Sequence, residues 1–505
     1  MLATVYSATV LGVDGCPVLV EVHVSTGIPG FAVVGLPDTT CREARDRVRA
    51  ALLSSGLRWP TQRVTVNLAP PATRKVGAGL DLAIAVGLLA ADEQLGAESL
   101  VGRAFLGELG LDGTVRAVPG TLPAIDALQA PEIVVAPGAL VEAQLVGRHR
   151  IRVVPDLHTL VQALRGAGDW PDLSQPPPPP RHEPSEPDLA DVRGQPAARY
   201  ALEVAAAGGH HMLLVGPPGA GKTMLARRLP GLLPDLPRSH ALEATRIHSV
   251  AGVGLPPDGL VRRPPFRSPH HGASAVSLVG GGSAAMQPGE VSLAHRGVLF
   301  LDELGEFSPF VLDHLRQPLE EGVIRVSRAA AKATFPARVL LVAAMNPCPC
   351  ARGGPEGACR CTPMARQRYS RRLSGPLLDR LDLRIELGGA EVGELMATTT
   401  GEPTAIVAAR VRRARSRARD RGVEANVELR QRHLDQVAPL DEQARRLVVD
   451  ALRAGRLTGR GLGGVRRVAL TIADLSDDVV PLTADHVHAA LALRGEPTFL
   501  VGRVA

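Results

Sequence analysis

The residues Gly-Pro-Pro-Gly-Ala-Gly-Lys-Thr at positions 216–223 constrain the fold of this chain more than any other feature. They fit G-x-x-x-x-G-K-[ST], a loop whose backbone N–H groups surround phosphate oxygens at the start of a helix. The preceding run, 211–215, predicts a short buried strand, and residues 224–229 predict the first turns of a helix. We therefore predict a P-loop nucleotide site in an α/β core.

Within this loop, Lys222 would reach the β- and γ-phosphates of ATP, and Thr223 would hold Mg²⁺. The chain has only three lysines, Lys75, Lys222 and Lys332, in a Lys+Arg total of 57. Because almost every other cation is an arginine, the lysine at 222 indicates a position where the compact ammonium group suits the phosphates. The predicted ATP-binding residues are Gly216, Pro217, Pro218, Gly219, Ala220, Gly221, Lys222 and Thr223.

Two acidic residues, Asp302 and Glu303, directly follow the apolar run Val298–Leu301. Ligands of open α/β sheets bind at the carboxyl ends of the strands, which is where these acids would emerge. Asp302 would orient Mg²⁺ through water, and Glu303 would act as general base on the attacking water.

Asn346 and Arg380 complete the predicted catalytic set. Asn346 follows the apolar run 339–344 and would position the attacking water, although a turn before Pro347 is the alternative. Arg380 would act as an arginine finger supplied by a neighbouring subunit. For Arg380 the alternative is a surface pair with Asp382, which would contribute little.

Composition limits the class of protein. The net charge of +6 permits a polyanionic partner such as nucleic acid without requiring one. Aromatic residues make up 3% of the chain, so its cores must be aliphatic. No apolar run reaches the roughly 18 residues of a membrane span, no signal peptide is evident, and six cysteines are too few for a disulfide scaffold. We therefore expect a cytoplasmic protein with no membrane partner.

A proline-rich segment, 171–187, marks the clearest boundary, because its run Pro176–Pro180 is extended and cannot bury a core. Before it, strand-like and helix-like patterns alternate, which predicts an α/β or α+β domain. After it, residues 189–207 predict a helix, and from about 392 onward the pattern is helical throughout. The predicted units are an N-terminal domain over 1–168, a linker over 169–188, an ATPase domain over 189–391 and a helical lid over 392–505.

Several specific strings carry a resemblance that covers nearly all of the chain. The chain resembles the magnesium-chelatase-like AAA+ ATPases of the YifB/ComM family. Beside the P-loop and the Asp302-Glu303 pair, the resemblance rests on residues 191–195, 266–274, 288–295, 315–320, 345–350, 374–382 and 471–475.

The resemblance implies a P-loop AAA+ core of the helix-2-insert type, with a hairpin before the strand that carries Asn346, assembled as a homo-oligomeric, hexameric ring. It also implies a Lon-protease-like (ribosomal S5 domain 2-like) α+β domain at the N-terminus. Gly79 stands where Lon proteases place their nucleophilic serine, so we do not predict proteolysis. Nearby Lys75 is interpreted as a surface charge rather than as a binding residue, which is the alternative.

Arg460 matches the sensor 2 arginine of the family, which lies at the start of a lid helix and acts on the nucleotide. The chain departs from the family around it, since Gly461, Gly463 and Gly464 stand where larger residues are usual, and Leu470 replaces an arginine. Each glycine weakens a helix by about 1 kcal/mol relative to alanine, so the sequence predicts a weakened helix start.

Four of the six cysteines lie close together in sequence, as Cys348-x-Cys350-x8-Cys359-x-Cys361. Four thiolates on one loop would bind Zn²⁺ tetrahedrally. Cys-x-Cys is tighter than the usual Cys-x2-Cys, and reduced thiols without a metal are the alternative.

The leading hypothesis for function is an ATP-driven DNA motor of the ComM type, a ring that migrates DNA branches during recombination. On the predicted hairpin, Arg325, Arg328 and Lys332 would contact phosphates. The pair His270-His271 lies on a loop that would contact either DNA or a neighbouring subunit. Seven arginines over 410–421 would form a DNA-contacting stripe or a solvated face of the lid.

Two rival functions are a protein-remodelling or metal-chelatase-type ATPase that does not act on DNA, and a scaffold that uses ATP only for assembly. The intact Asp302-Glu303 pair argues against the scaffold.

Overall fold

Two open sheets, each flanked by helices, organise the chain. The computed structural model describes residues 1–172, 187–282, 286–328, 331–352, 359–388, 401–478 and 480–495. Most of the predicted linker over 169–188 lies outside the described residues, and so do residues 392–400 of the predicted lid. The predicted domain boundaries therefore stay predictions.

Residues 2–164 form the first sheet and its helices. The strands are β1 (Leu2–Leu11), β2 (Asp14–Ser25), β3 (Gly30–Val34), β4 (Arg63–Ala69), β5 (Arg103–Leu106), β6 (Glu108–Leu109), β7 (Val115–Arg116), β8 (Glu132–Val135) and β9 (Arg150–Val153). The helices are α1 (Thr39–Ser54), α2 (Asp81–Ala91), α3 (Thr121–Asp126), α4 (Leu140–Gln144) and α5 (Leu157–Leu164).

The first sheet has the mixed order β3-β4-β2-β1-β5-β8-β9. β1 and β2 form an antiparallel hairpin that turns at Gly12 and Val13, while β1, β5, β8 and β9 run parallel to one another. Helix α2 packs on β1 and β2 with all of its residues buried. Its buried Asp81 pairs with Arg47 at 2.6 Å, which compensates the carboxylate for its lost hydration. The likeness of this unit to Lon proteases stays a prediction.

Lys75 is buried, so its interpretation as a surface charge was wrong. Its side chain has an exposure of 0%, and its Nζ donates a hydrogen bond to the carbonyl oxygen of Pro70. Its backbone bonds to Leu36 and Asp38, which lie far from it in sequence. Burial lowers the pKa of the Lys75 ammonium group from its ordinary value.

Residues 196–386 carry the second sheet. The strands are β10 (Met212–Val215), β11 (Phe266–Arg267), β12 (Gly280–Gly281), β13 (Gln287–Pro288), β14 (Val298–Leu301), β15 (Val323–Arg328), β16 (Ala331–Pro336), β17 (Leu340–Met345) and β18 (Leu383–Glu386). The helices are α6 (Pro196–Gly208), α7 (Lys222–Ala226), α8 (Leu229–Leu232), α9 (Arg238–Val250), α10 (Ala275–Val279), α11 (Glu290–Leu293), α12 (Pro309–Asp313), α13 (Arg316–Glu321), α14 (Pro363–Ser370) and α15 (Gly375–Leu378).

The second sheet is parallel throughout, with the order β11-β14-β17-β10-β18. Every residue of β10, β14 and β17 is buried, as the continuous apolar runs of these strands require when helices cover both faces. β17 lies between the P-loop strand β10 and the strand β14 that precedes Asp302. The loops after these three strands therefore meet at one edge of the sheet.

The chain on either side of the P-loop is less regular than the sequence predicts. Instead of one helix over 189–207, a short 3-10 turn at 189–191 precedes α6, because Gly194 and Gln195 adopt positive φ angles of 65° and 55°. After the P-loop, α7 ends at Ala226 and α8 begins at Leu229. Pro230 has no backbone N–H to donate, which explains why one continuous helix does not form.

The first unit packs against α9 and the β15–β16 hairpin of the second. The backbone N–H of Gly120 donates to the carbonyl oxygen of Ser249 at 3.0 Å, and Arg246 of α9 pairs with Asp126 of α3. At the β1–β2 turn, the backbone of Gly12 approaches Ala333 so closely that an added Cβ would lie 2.8 Å from the alanine Cβ. The N-terminal unit therefore contacts strand β16 of the hairpin at Ala333 and Phe335.

Helices account for the regular structure of residues 401–478 and 480–495, and no strand is found among them. Across the described residues, no helix combines the length and the apolar character needed to cross a membrane. The C-terminal helices are α16 (Thr404–Asp420), α17 (Gln431–Val437), α18 (Glu442–Arg453), α19 (Gly459–Leu475) and α20 (Ala484–Leu493).

The arginine run over 410–421 holds helices together. Arg410 and Arg415 bond to residues of α6, and Arg421 pairs with a residue of α19. Arg413 is exposed. Arg417 and Arg419 also form ion pairs, with Asp477 and Glu424, so five of the seven arginines have partners inside the chain. The run therefore forms neither a fully solvated face nor a continuous DNA-contacting stripe.

Helix α19 begins at Gly459 despite its glycines. The Thr458 hydroxyl accepts a hydrogen bond from the Gly461 N–H at 3.0 Å, which caps the helix. Gly464 lies against the buried Asp382, where a Cβ would be 2.6 Å from the carboxylate Oδ1. This glycine therefore allows a close approach between α19 and the second sheet.

We expect Gly464→Ala to destabilise the protein by about 1–3 kcal/mol, because the added Cβ would displace Asp382. Gly461→Ala is the matched control in the same helix, since its nearest neighbours, Leu457 and Thr458, would lie 3.4 Å away in ordinary contact. That control should stabilise the helix by about 0.5–1 kcal/mol. Urea unfolding of both variants measures the difference, and equal effects would contradict the close approach.

Candidate nucleotide-hydrolysis site

The P-loop has the backbone needed to surround a phosphate chain. Gly219 and Gly221 adopt φ angles of 80° and 88°, which favour glycine, and a Cβ at either position would meet nothing within 4 Å. At Gly216, in contrast, a Cβ would lie 2.7 Å from the carbonyl oxygen of Leu387. The loop thus packs against the chain on one side and leaves space on the other, which fits a bound phosphate group.

Lys222 links the P-loop to the end of β17. Its Nζ donates to the carbonyl oxygens of Gly216 and Pro217 at 2.7 and 2.9 Å, and to the Asn346 Oδ1 at 3.1 Å. Burial lowers the pKa of Lys222 from its ordinary value, while the nearby charges of Asp302 and Glu303 oppose that shift. Asn346 therefore lies at the P-loop, as its predicted role requires, although that role itself stays a prediction.

The predicted magnesium residues are also in contact. The Thr223 hydroxyl donates to the Asp302 Oδ2 at 2.7 Å, and the Glu303 N–H donates to the Asp302 Oδ1 at 2.9 Å. The donor set is one hydroxyl and one carboxylate, which suits Mg²⁺. When bound, Mg²⁺ would be held by Thr223 and Asp302 and would neutralise charge on the phosphate oxygens.

Glu303, two residues after the end of β14, has a strained backbone conformation. Its φ of 52° is left-handed, a conformation that costs about 1–2 kcal/mol for a residue with a Cβ. Its side chain is 53% exposed, so it can meet water. A general base needs this access to the water that it activates.

His271 contacts Glu303, which the sequence did not reveal. The His271 Nδ1 lies 3.0 Å from the Glu303 Oε2, and the His271 ring lies against that of His270, with centroids 4.0 Å apart and the planes tilted by 34°. The loop that carries both histidines follows β11, the neighbour of β14, so it reaches the same sheet edge. Arg267, at the end of β11, anchors the loop through two hydrogen bonds to Glu290 of 2.7 and 2.8 Å.

Arg380 and Arg460 lie together, away from the P-loop of their own chain. Both guanidinium groups bond to Glu320, Arg380 through Oε2 and Arg460 through Oε1, the latter at 2.9 Å. Three residues after Arg380, Leu383 pairs with Met212 at the start of β10, and the Leu383 N–H donates to the carbonyl oxygen of His211 at 3.1 Å. The pair therefore lies near the amino end of β10, whereas the P-loop follows its carboxyl end.

The four clustered cysteines converge as well. Their Sγ atoms all lie within 4.8 Å of one another, and all four thiols are free.

The predicted alternative for Arg380, a surface pair with Asp382, is not found, because Asp382 is buried against His210 and Arg494.

Comparison with known proteins places the chain in a family. Family models described as "Subunit ChlI of Mg-chelatase", "Magnesium chelatase, subunit ChlI" and "Magnesium chelatase, subunit ChlI C-terminal" match residues 20–138, 188–395 and 401–494.

Three relatives are similar over nearly their full length. An uncharacterized protein of Mycobacterium tuberculosis is 45% identical over 504 residues, which cover 98% of each chain. YifB of Escherichia coli is 43% identical over 505 residues, which cover 99% of this chain and 98% of YifB. The competence protein ComM of Haemophilus influenzae is 43% identical over 500 residues, 98% of this chain and 97% of ComM.

This chain belongs to the YifB/ComM family of magnesium-chelatase-like proteins. Membership of the YifB/ComM family confirms the resemblance found in the sequence and implies an AAA+ ATPase that uses ATP and Mg²⁺. It also indicates that the chain forms oligomers, as AAA+ proteins do.

We expect His271→Ala to raise ATP hydrolysis in the absence of any partner by about two- to tenfold, because the imidazole competes with water for the Glu303 carboxylate. His270→Ala is the matched control, since the contact to Glu303 is made by His271. Steady-state ATPase assays of both variants provide the test. A rate that falls in His271→Ala as far as in Glu303→Gln would show instead that His271 orients the base.

Proposed function

We propose that this YifB/ComM family protein is an ATP-hydrolysing AAA+ motor that works as a hexameric ring on DNA, with ComM-like branch migration or helicase activity in recombination. The observation that carries the proposal is the convergence of Lys222, Thr223, Asp302, Glu303 and Asn346 at one sheet edge. In this proposal Lys222 binds phosphates, Glu303 activates water and Asn346 positions it.

The placement of Arg380 and Arg460 supports action across a subunit interface. Both arginines lie near the amino end of β10, so the P-loop at its carboxyl end is on the far side of the sheet. Glu320 pairs with both and holds them side by side. In a ring, each copy contacts the next through two different surfaces of the chain. Such a contact would bring this pair of arginines to the nucleotide of the neighbouring copy.

The exposed face of the β15–β16 hairpin favours the proposal of a polyanionic substrate. Successive side chains of each strand point to opposite faces of the hairpin. Ile324 and Phe335 are buried on one face, and Arg325 and Lys332 are exposed on the other. Ser327 and Thr334 are exposed on the same face, as the cross-strand partners of Lys332 and Arg325. Cations and hydroxyls in this arrangement suit a phosphate backbone. The side chain of Arg328 lies outside the described residues.

A protein-remodelling or metal-chelatase-type ATPase is the second candidate. It is favoured by the family models, whose descriptions all name a magnesium chelatase subunit. The relative named as a competence protein covers nearly the whole chain, and this favours the DNA motor.

The DNA motor predicts ATP hydrolysis that single-stranded or branched DNA stimulates. Turnover by the purified protein would be measured without DNA and with single strands, duplex and a four-way junction, with Glu303→Gln as the inactive control. Stimulation that disappears in the control supports the motor. Turnover that is the same with every DNA would contradict it and favour the second candidate.

Reversing the charge of the hairpin should weaken DNA binding. We expect Arg325→Glu with Lys332→Glu to lower DNA affinity at least tenfold and to reduce the slope of log affinity against log salt by about 1–2. Arg446→Glu is the control, because this arginine is 73% exposed and lies on α18. Equal losses in the hairpin variant and the control would indicate a general charge effect and contradict the assignment of the hairpin.

Mixing two inactive variants should restore hydrolysis if the arginines act across the interface. The Arg380→Ala variant keeps an intact P-loop, and the Lys222→Ala variant keeps an intact Arg380. When the two variants mix at random, an intact P-loop lies beside an intact Arg380 at roughly a quarter of the interfaces. The control mixes Lys222→Ala with Glu303→Gln, whose changes fall on the same side of the interface and leave no complete site. No recovery in the first mixture would show that Arg380 does not act in the neighbouring subunit.

A further inference from the structure

Four cysteine sulfurs meet in the loop between β17 and α14. The Cys348 Sγ lies 3.3 Å from the Cys350 Sγ and 3.5 Å from the Cys359 Sγ, and the Cys350 and Cys359 sulfurs are 3.7 Å apart. The Sγ of Cys361 completes the group, since all four sulfurs lie within 4.8 Å of one another.

These separations match a single metal ion at the centre. Four thiolates at about 2.3 Å from a tetrahedral ion lie about 3.8 Å from one another. The three measured separations are close to this value. A disulfide would draw two sulfurs together and exclude the others, whereas here three sulfurs form a nearly equilateral triangle.

The backbone around the cysteines is arranged as it is around metal thiolates. The backbone N–H groups of Arg352 and Arg360 lie near the Cys350 sulfur, and the N–H of Cys350 lies near the Cys361 sulfur. Backbone N–H groups near metal thiolates stabilise the negative charge of the ligands. The Ala351 N–H donates to the carbonyl oxygen of Cys348 at 3.0 Å, which closes the turn that carries Cys348 and Cys350.

We propose that Cys348, Cys350, Cys359 and Cys361 bind one Zn²⁺ ion in a closed structural site. Four sulfur ligands select a soft or borderline divalent ion, and tetrahedral geometry favours zinc among these. The protein fills all four positions, so the ion has no position for water or substrate. Its role is therefore to fix the loop.

The fixed loop supports the hydrolysis site from two sides. Cys348 follows Asn346 by two residues, so the ion holds the end of β17 where Asn346 meets Lys222. After the last cysteine, α14 begins at Pro363 and packs beside the segment that follows Glu303.

Three contacts join α14 and the residues after it to that segment. Tyr369 lies against Gly305 so closely that a Cβ on the glycine would be 2.4 Å from the tyrosine oxygen. Arg372 donates to the Gly305 carbonyl oxygen at 2.5 Å and pairs with Glu306 at 3.0 Å. Loss of the ion should therefore loosen Asn346 and the Glu303 loop together.

Metal analysis of the purified, reduced full-length protein tests the proposal directly. We expect about one zinc per chain in the wild type and in Cys16→Ser, and less than about 0.1 in Cys359→Ser and Cys361→Ser. Cys16 is the matched control, because it is a free cysteine outside the cluster. Zinc absent from the wild type, or iron in its place, would overturn the proposal.

Cobalt substitution provides a readout that does not depend on whether the variants fold. Metal-free wild-type protein given Co²⁺ under reducing conditions should show the intense absorption of tetrahedral cobalt thiolate, and added Zn²⁺ should abolish it. Without that absorption the four sulfurs do not form one tetrahedral site, and the proposal fails.

The structural role is tested by kinetics. Removal of zinc should lower kcat for ATP at least tenfold while ATP affinity changes less than threefold, because the P-loop backbone is untouched. Restored zinc should restore kcat. Metal binding with an unchanged kcat would keep the site but overturn its support of Asn346 and Glu303, independently of whether DNA is the substrate.

Discussion

The pairing of β17 with both β10 and β14 is the constraint on which the rest of the structure depends. Val215 pairs with Met345 and Leu301 with Ala343, so all three strands end at the same edge. Every side chain of these strands is buried, so a shift of one residue would exchange side chains of different shape in the close-packed cores on both faces of the sheet. Because the register cannot slip, the bond between Lys222 and the residue after β17 is built into the sheet.

The same sheet separates the two halves of the proposed catalytic machinery. The residues proposed to bind phosphate and to activate water follow the carboxyl ends of the strands, whereas Glu320 gathers Arg380 and Arg460 near the amino end of β10. One chain thus carries both halves, but on opposite edges of a sheet. In the proposed ring, this arrangement is the reason that a chain with all of the proposed catalytic residues would need a neighbouring copy to complete a site.

The sequence predicted the parts of the site that local patterns encode, and it missed those that depend on contacts between distant segments. Apolar runs followed by polar residues indicated Asp302 and Asn346, because strand ends are visible in a short window. The contact of His271 with Glu303 was not visible, since β11 has only two residues and gives no strand pattern. Lys75 was misread for a similar reason, because its cover comes from residues far away in the chain.

The sequence by itself determined the nucleotide loop, the acidic pair, the cysteine spacing and the family, because each is a fixed pattern of neighbouring residues. Only the tertiary structure decided which edge of the sheet each residue occupies, and thus that Arg380 and Arg460 share Glu320 while Lys222 meets Asn346. The physical reason is that strand order and register arise from long-range hydrogen bonding and burial. No local window of residues contains that information.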